Sequence, residues 1–362
     1  MLEMLLNWYR RRFNDPQAVA LFAILLTGFA IIYFFNEILA PLLIAIVLAY
    51  LLEWPTAKLT HLGLSRTLAV TLVLIGFIGV TSLLMMIMFP IAWQQAVRFV
   101  SDLPNMFNQA YNYALELPAK YPTLLDKATI DTIAEGLRVK LLDMETVIRS
   151  IVKFSMASLV GFMTIAIYAI LIPLMVFFLL KDKHQMQRAV LRVLPRNSGL
   201  AGKVWVEMNQ QITNYIRGKV IEIIVVTSAT YILFLFFELP YSLILAIGVG
   251  LAVVIPYIGA VIATVPVVII AIFQWGVGPD FWWFFFAYLM VQGLDTNLLV
   301  PLLFSEVVNL HPLVIIMSVI IFGGLWGFWG VFFAIPLATL FKAVIHAWPD
   351  GFEQPLSEDN KL

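Results

Sequence analysis

Two long apolar stretches near the C-terminus, Leu239–Phe273 and Leu310–Ile345, share one layout, and it restricts the fold more than any other feature of the chain. Each opens on a proline, Pro240 or Pro312, and runs apolar. Each then breaks in the middle, at Ile255-Pro256-Tyr257-Ile258-Gly259 in the first and at Gly323–Gly330 in the second. Each resumes apolar with a further proline, Pro266 or Pro336. Broken backbone at membrane depth is tolerated only where protein or a water-filled cavity satisfies its polar groups. Matched interrupted segments in corresponding halves of a chain point to a substrate site near the midplane. The alternative is a pair of kinked spanning helices whose neighbours re-satisfy the backbone.

Charged residues make up 12% of the chain and hydrophobic ones 62%, with mean hydropathy +0.95. Soluble domains carry about 25% charged residues, so the chain is expected to be an all-α polytopic membrane protein. With about 20 apolar residues per crossing, the map gives six to eight transmembrane helices, the two interrupted stretches forming helical hairpins. N-terminal helices occupy 1–93, with the first span, Ala18–Phe35, read as uncleaved. A mixed-charge outer segment covers 94–153 and a further span 154–180. Basic amphipathic helices cover 181–219. A unit of two span-plus-hairpin repeats covers 220–345, and a tail 346–362.

Lysine and arginine mark the cytoplasmic side of membrane proteins. Arg10-Arg11-Arg12, the Lys58/His61/Arg66 loop and the 181–219 segment fall on one side, so both termini are expected in the cytoplasm. That segment holds Lys181, Lys183, Arg188, Arg192, Arg196, Lys203, Arg217 and Lys219 against Asp182 and Glu207. Its stripe Leu200, Val204, Met208, Ile212 and Ile216 suits a helix in the headgroup plane or one docked on the bundle. In the outer segment Ile130, Ile133, Leu137, Leu141, Met144, Ile148 and Ile151 step by three and four. They predict an apolar helix face for an oligomer seam or for packing against Met106–Tyr113.

Phe281–Phe304 carries a polar cluster inside a span: Gln292, Asp295, Thr296 and Asn297. The first three share a helix face. A carboxylate within a span is costly and faces a cavity or a partner, so Asp295 is a candidate to bind a cation, a proton or a polar solute. The alternative is that the cluster satisfies exposed backbone at a hairpin tip. Arg217 and Glu222, at the inner mouth of the preceding span, form an interfacial ion pair or a gate. The chain lacks cysteine, and His61, His184, His311 and His346 have no metal-ligand spacing. Gly199-Leu200-Ala201-Gly202-Lys203-Val204 does not satisfy the phosphate-binding loop pattern, and no nucleophile elbow occurs. No enzyme activity, cofactor, metal site or nucleic-acid partner is expected.

Several motifs in register resemble the autoinducer-2 exporter family: Phe178–Asp182, Tyr215-Ile216-Arg217-Gly218, Ile255–Gly259, Gln292-x-x-Asp295-x-Asn297-x-x-Val300-Pro301, Leu310-His311-Pro312-Leu313 and Gly327-x-x-Gly330-x5-Pro336. The N-terminal part, from Trp8–Arg12 to Leu52-Glu53-Trp54-Pro55, resembles that family's PerM-type permease branch. The resemblance implies a secondary transporter or permease of the bacterial inner membrane, assembled as a homo-oligomer, with a pentamer suggested. It also implies that Pro256, Tyr257, Gly259, Gly327, Gly330 and the Gln292–Pro301 segment form the transport unit. Its partners would be the lipid bilayer, a small polar solute such as a signalling molecule, and a proton or sodium ion. Family members are associated both with signal export and with cation/proton antiport, so the resemblance leaves the substrate open. A passive pore or membrane scaffold stands beside transport.

Overall fold

The structure is a computed structural model and describes residues 16–120, 159–193, 199–304 and 310–347. The outer stripe from Ile130 to Ile151, the arginine triplet and most of the C-terminal tail lie outside the described residues. Every described regular element is helical, as expected of an apolar chain that must satisfy its backbone without water. In order these are α1 (Pro16–Phe34), α2 (Asn36–His61), α3 (Arg66–Lys120), α4 (Leu159–Lys181), α5 (Lys183–Val193), α6 (Gly199–Phe236), α7 (Ser242–Ala252), α8 (Ile258–Trp275) and α9 (Pro279–Leu294). A π-helical turn (Asp295–Leu299), α10 (Val300–Phe304), α11 (Pro312–Phe332) and α12 (Ala334–Ala347) follow. Seven helices among the described residues are long and apolar enough to cross a membrane. The chain is a multi-pass membrane protein.

α2, α3 and α4 form one bundle around Ala45, Leu52, Val70, Val176 and Leu180. Its ends are tied by charge, with Glu53 accepting from Arg66 at 2.7 Å and from Lys183 at 3.0 Å. Two sequence boundaries fall inside single helices: α3 runs unbroken through 93–94 and α6 through 219–220. In α6, Met208 and Ile216 are buried, and Ile212 and Ile216 pack with Val254, Phe304 and Ile335. That face of the helix is docked on the bundle.

The first interrupted stretch is a hairpin. α7 has 11 residues, about 16 Å of helix, against a hydrocarbon core of about 30 Å. It ends at a turn in which Tyr257 takes φ +61°. The chain then doubles back so closely that a Cβ on Gly259 would overlap the carbonyl of Ala252. In a continuous helix those residues would be about 10 Å apart. Gln274, at the far end of α8, donates to the Glu238 carbonyl at 3.1 Å, so both arms begin and end at one end of the bundle.

The second stretch reverses by the same device. Gly327 takes φ +58°, ψ −133° inside α11, and a Cβ on Gly330 would overlap the carbonyl of Phe322. Two of the seven apolar helices, α8 and α11, are therefore hairpin arms rather than simple crossings.

The hairpins hang from opposite ends. α7 starts beside the C-terminal end of α6, where Phe237 stacks edge-on against Trp275 and Phe284. α9 then descends antiparallel to α6, from Phe284 and Tyr288 against Phe234 to Phe304 against Tyr215. α11 begins there, with Leu310 and Ile315 in the Tyr215–Phe304 cluster. The tips meet inside: Ile255 packs with Phe322, Trp326 and Val331.

Candidate functional site

Where the hairpins meet α6 and the π-helical turn there is a cavity of about 280 Å³. Its polar wall comes from Lys219 and Glu222 of α6, Asp295 and Thr296 of the π turn, and Pro256 and Tyr257 of the first tip. Ile315 and Ile335 of the second hairpin, with Val300 and Phe304, supply the apolar wall. Lys219, Glu222 and Asp295 are 4%, 2% and 9% exposed.

Local structure explains each placement. Lys219 and Glu222 stand at i and i+3 on α6, with Nζ 2.7 Å from Oε2. That contact is coulombic, since Oε2 has no aligned hydrogen bond. The ammonium instead donates to the Val253 carbonyl at 2.9 Å and lies 5.1 Å from the centre of the Phe304 ring. Val253 caps α7, and a helix end leaves its last carbonyls without intrahelical partners. The break in the hairpin thus frees a backbone acceptor, and a lysine from α6 satisfies it. Asp295 sits on the π-helical turn, an insertion frequent at functional sites. Its Oδ1 is buried without a hydrogen bond, a costly state for a polar atom.

The predicted residues divide. Asp295, Thr296, Pro256, Tyr257 and Glu222 line the cavity. Gln292 faces elsewhere: it donates to Tyr288 Oη at 2.8 Å, and that hydroxyl pairs with Thr264 at 3.1 Å, tying α9 to α8. Asn297 is exposed and turns back on the Gly293 carbonyl at 2.9 Å, while Pro301 is exposed on α10. Gly259, Gly327 and Gly330 shape the hairpins without lining the cavity. Arg217 is not among the lining residues, and the ion pair predicted for Glu222 is made with Lys219. Lys219 escaped the sequence reading because it closes a run of basic residues assigned to the cytoplasm. Its position three residues before a glutamate, at the edge of an apolar run, was the available signal. Among the described residues no cluster of three or more histidine, cysteine or acidic side chains could hold a metal ion.

The sequence has known relatives. The profile of the AI-2E family transporters matches residues 22–350. The chain belongs to that family. It is 63% identical over 351 residues to the "Putative permease PerM" of Escherichia coli K12, covering 97% of this chain and 99% of that protein. It is 29% identical over 320 residues to the "Putative transport protein YueF" of Bacillus subtilis, covering 86% and 84% respectively. A "Putative transport protein" of Thermotoga maritima is 22% identical over 322 residues. AI-2E membership and these names indicate a transport protein.

Proposed function

We propose that the chain is a secondary transporter of the bacterial inner membrane that moves a small polar solute by alternating access around the Lys219–Glu222–Asp295 cavity. The observation that carries this reading is the meeting of two hairpins, hung from opposite ends of the bundle, at a cavity lined by buried charge. Buried ionisable side chains in a membrane protein are costly and mark solute or ion pathways. A site between inverted span-plus-hairpin repeats can be exposed to one end or the other by rocking one unit against its neighbours. The 220–345 unit is the moving part in this reading, and α2–α4 the scaffold.

The charge count supports coupling to a cation. One ammonium faces two carboxylates, so the ionised site carries one negative charge in excess, which a proton or sodium ion would balance. The basic segments support a cytoplasmic position for both termini. A homo-oligomer stays part of the proposal, because Leu83, Leu84, Met85 and Met86 of α3 are exposed and lipid or neighbouring copies would cover them.

Flux in everted vesicles tests the reading, with sodium-driven proton movement followed by a pH-sensitive dye. Asp295→Asn and Glu222→Gln are expected to lower coupled flux by tenfold or more, about 1.4 kcal/mol in the coupling step. Unchanged flux across a pH and sodium series would remove both carboxylates from the mechanism. Orientation is read separately, because the natural chain has no cysteine. Single cysteines at Val277 and His311 should react with an impermeant thiol reagent from opposite sides; labelling from one side would end the inverted-repeat argument.

A further inference from the structure

A second cavity, of about 310 Å³, lies between α2, the α4–α5 junction and α6, and the transport reading does not use it. Ile46, Ala49, Leu179 and Leu180 make its inner wall apolar, while Glu53 and Lys183 stand at its polar edge. Tyr50, also in the wall, donates to Asn209 Oδ1 of α6 at 2.8 Å.

The charges at that edge do not cancel. Glu53 is divided between Arg66 and Lys183, one oxygen to each. One carboxylate against two cations leaves one positive charge over. Arg66 is further held by the Leu180 carbonyl, at 3.1 Å through Nε and 2.7 Å through Nη2. That carbonyl is neutral, so the surplus is shared by Arg66 and Lys183, and Lys183, with a side chain 32% exposed against 23% for Arg66, is the more accessible of the two. Lys181 and Arg188 stand at the same junction against Asp182. An apolar slot with a net positive edge and a partly exposed lysine at its mouth complements a hydrocarbon chain that carries an anionic head. Basic pockets between membrane helices recognise anionic lipid in this way.

We infer that this cavity holds an acyl chain of an anionic phospholipid, with the lipid phosphate against Lys183. The bound lipid has a structural consequence. Its slot is walled on one side by the α2–α4 scaffold and on the other by α6, the helix that carries Lys219 and Glu222. An occupied slot braces that seam beside the Tyr50–Asn209 bond.

The inference goes beyond the transport reading, and its test needs neither flux nor an assigned orientation. The full-length protein in detergent is titrated with phosphatidylglycerol or phosphatidylcholine of identical chains, and retained lipid is counted by native mass spectrometry. Phosphatidylglycerol should be retained about fivefold better, the preference expected from one lysine at an anionic headgroup. Lys183→Gln should erase that preference, and Ala49→Phe, which fills the slot, should lower retention of both lipids. Equal retention of the two lipids by the natural protein would overturn the inference. So would displacement of the lipid by free glycerol phosphate at equal concentration, which would make the site one for a headgroup alone. An oligomer that dissociates in Ala49→Phe with lipid retention unchanged would assign the slot to a second copy of the chain and also overturn it. Should Ala49→Phe fail to fold, Lys183→Gln at the partly exposed edge still decides between charge-selective binding and none.

Discussion

The two hairpins reverse the chain alike, yet they are held differently. The α7–α8 hairpin is fixed by polar bonds. Gln95 Oε1 of α3 accepts from the Leu243 and Ile244 amides at 3.0 and 3.1 Å, capping α7 from another helix. Tyr241 donates to Asp102 at 2.5 Å; burial first, and then that carboxylate, push its phenol up to about 12. The α11–α12 hairpin rests on rings. Trp326 lies 4.0 Å from Phe29 of α1 and stacks on Phe322, and Tyr215 donates to the Phe332 carbonyl. The first tip brings polar groups to the cavity, including the carbonyl that holds Lys219, whereas the second hairpin brings Ile315 and Ile335 from its arms. An architecture repeated in inverted form therefore carries its chemistry on one side. A repeat needs the same backbone solution at both tips; it does not need the same side chains around them.

The comparison breaks most directly at the two crowded glycines. Gly259→Leu and Gly330→Leu each push a side chain into the carbonyl of the facing arm. Overpacking of this kind costs about 3 kcal/mol or more. Both should lower thermal stability in detergent by similar amounts; loss in one variant alone would mean that the reversals are not equivalent.

Lys219→Met comes next. It leaves two buried carboxylates with no cation and should destabilise by about 3–5 kcal/mol. Adding Glu222→Leu should recover part of that loss, because it removes one of the stranded charges. A double variant no better than the single would show that the lysine serves the Val253 carbonyl more than the glutamate.

Smaller effects separate the anchors. Gln95→Ala removes the cap of α7 and should cost about 1 kcal/mol, with faster hydrogen exchange confined to α7. Tyr215→Phe removes one hydrogen bond to the second hairpin and should cost about 1 kcal/mol, with faster exchange near Phe332. Exchange spreading to both hairpins in either variant would mean that they move as one body. The Tyr241–Asp102 latch favours the protonated phenol, so its contribution is present below about pH 10, the ordinary tyrosine value. It should be lost as pH rises towards about 12.

The smallest effect is a gain. Tyr257 pays for a positive-φ turn conformation, φ +61° and ψ −52°, that glycine adopts more readily, a cost of about 1–3 kcal/mol. Tyr257→Gly should stabilise the first hairpin by about 1 kcal/mol or less, since glycine also loses more entropy on folding. Destabilisation instead would show that the Tyr257 ring, in the cavity wall, contributes more than its backbone strain.

By itself the sequence determined the class of the fold and the place of its reversals. Apolar length set the spanning helices, because a backbone in lipid must bond internally. Pro256-Tyr257-Ile258-Gly259 and Gly323–Gly330 marked the breaks, because few residues tolerate such turns. It also exposed Asp295 and Glu222, since a carboxylate in an apolar run stands out in one dimension. Tertiary structure alone decided the rest. Whether each broken stretch crosses or doubles back depends on Gly259 meeting the Ala252 carbonyl and Gly330 meeting that of Phe322, contacts that hydropathy does not encode. Gln292 turned to Tyr288, and Lys219 left its basic run for the cavity, for one reason. A side chain's partner is set by what packing brings within hydrogen-bond reach, and the acceptor for Lys219 exists only after α7 has ended at Val253.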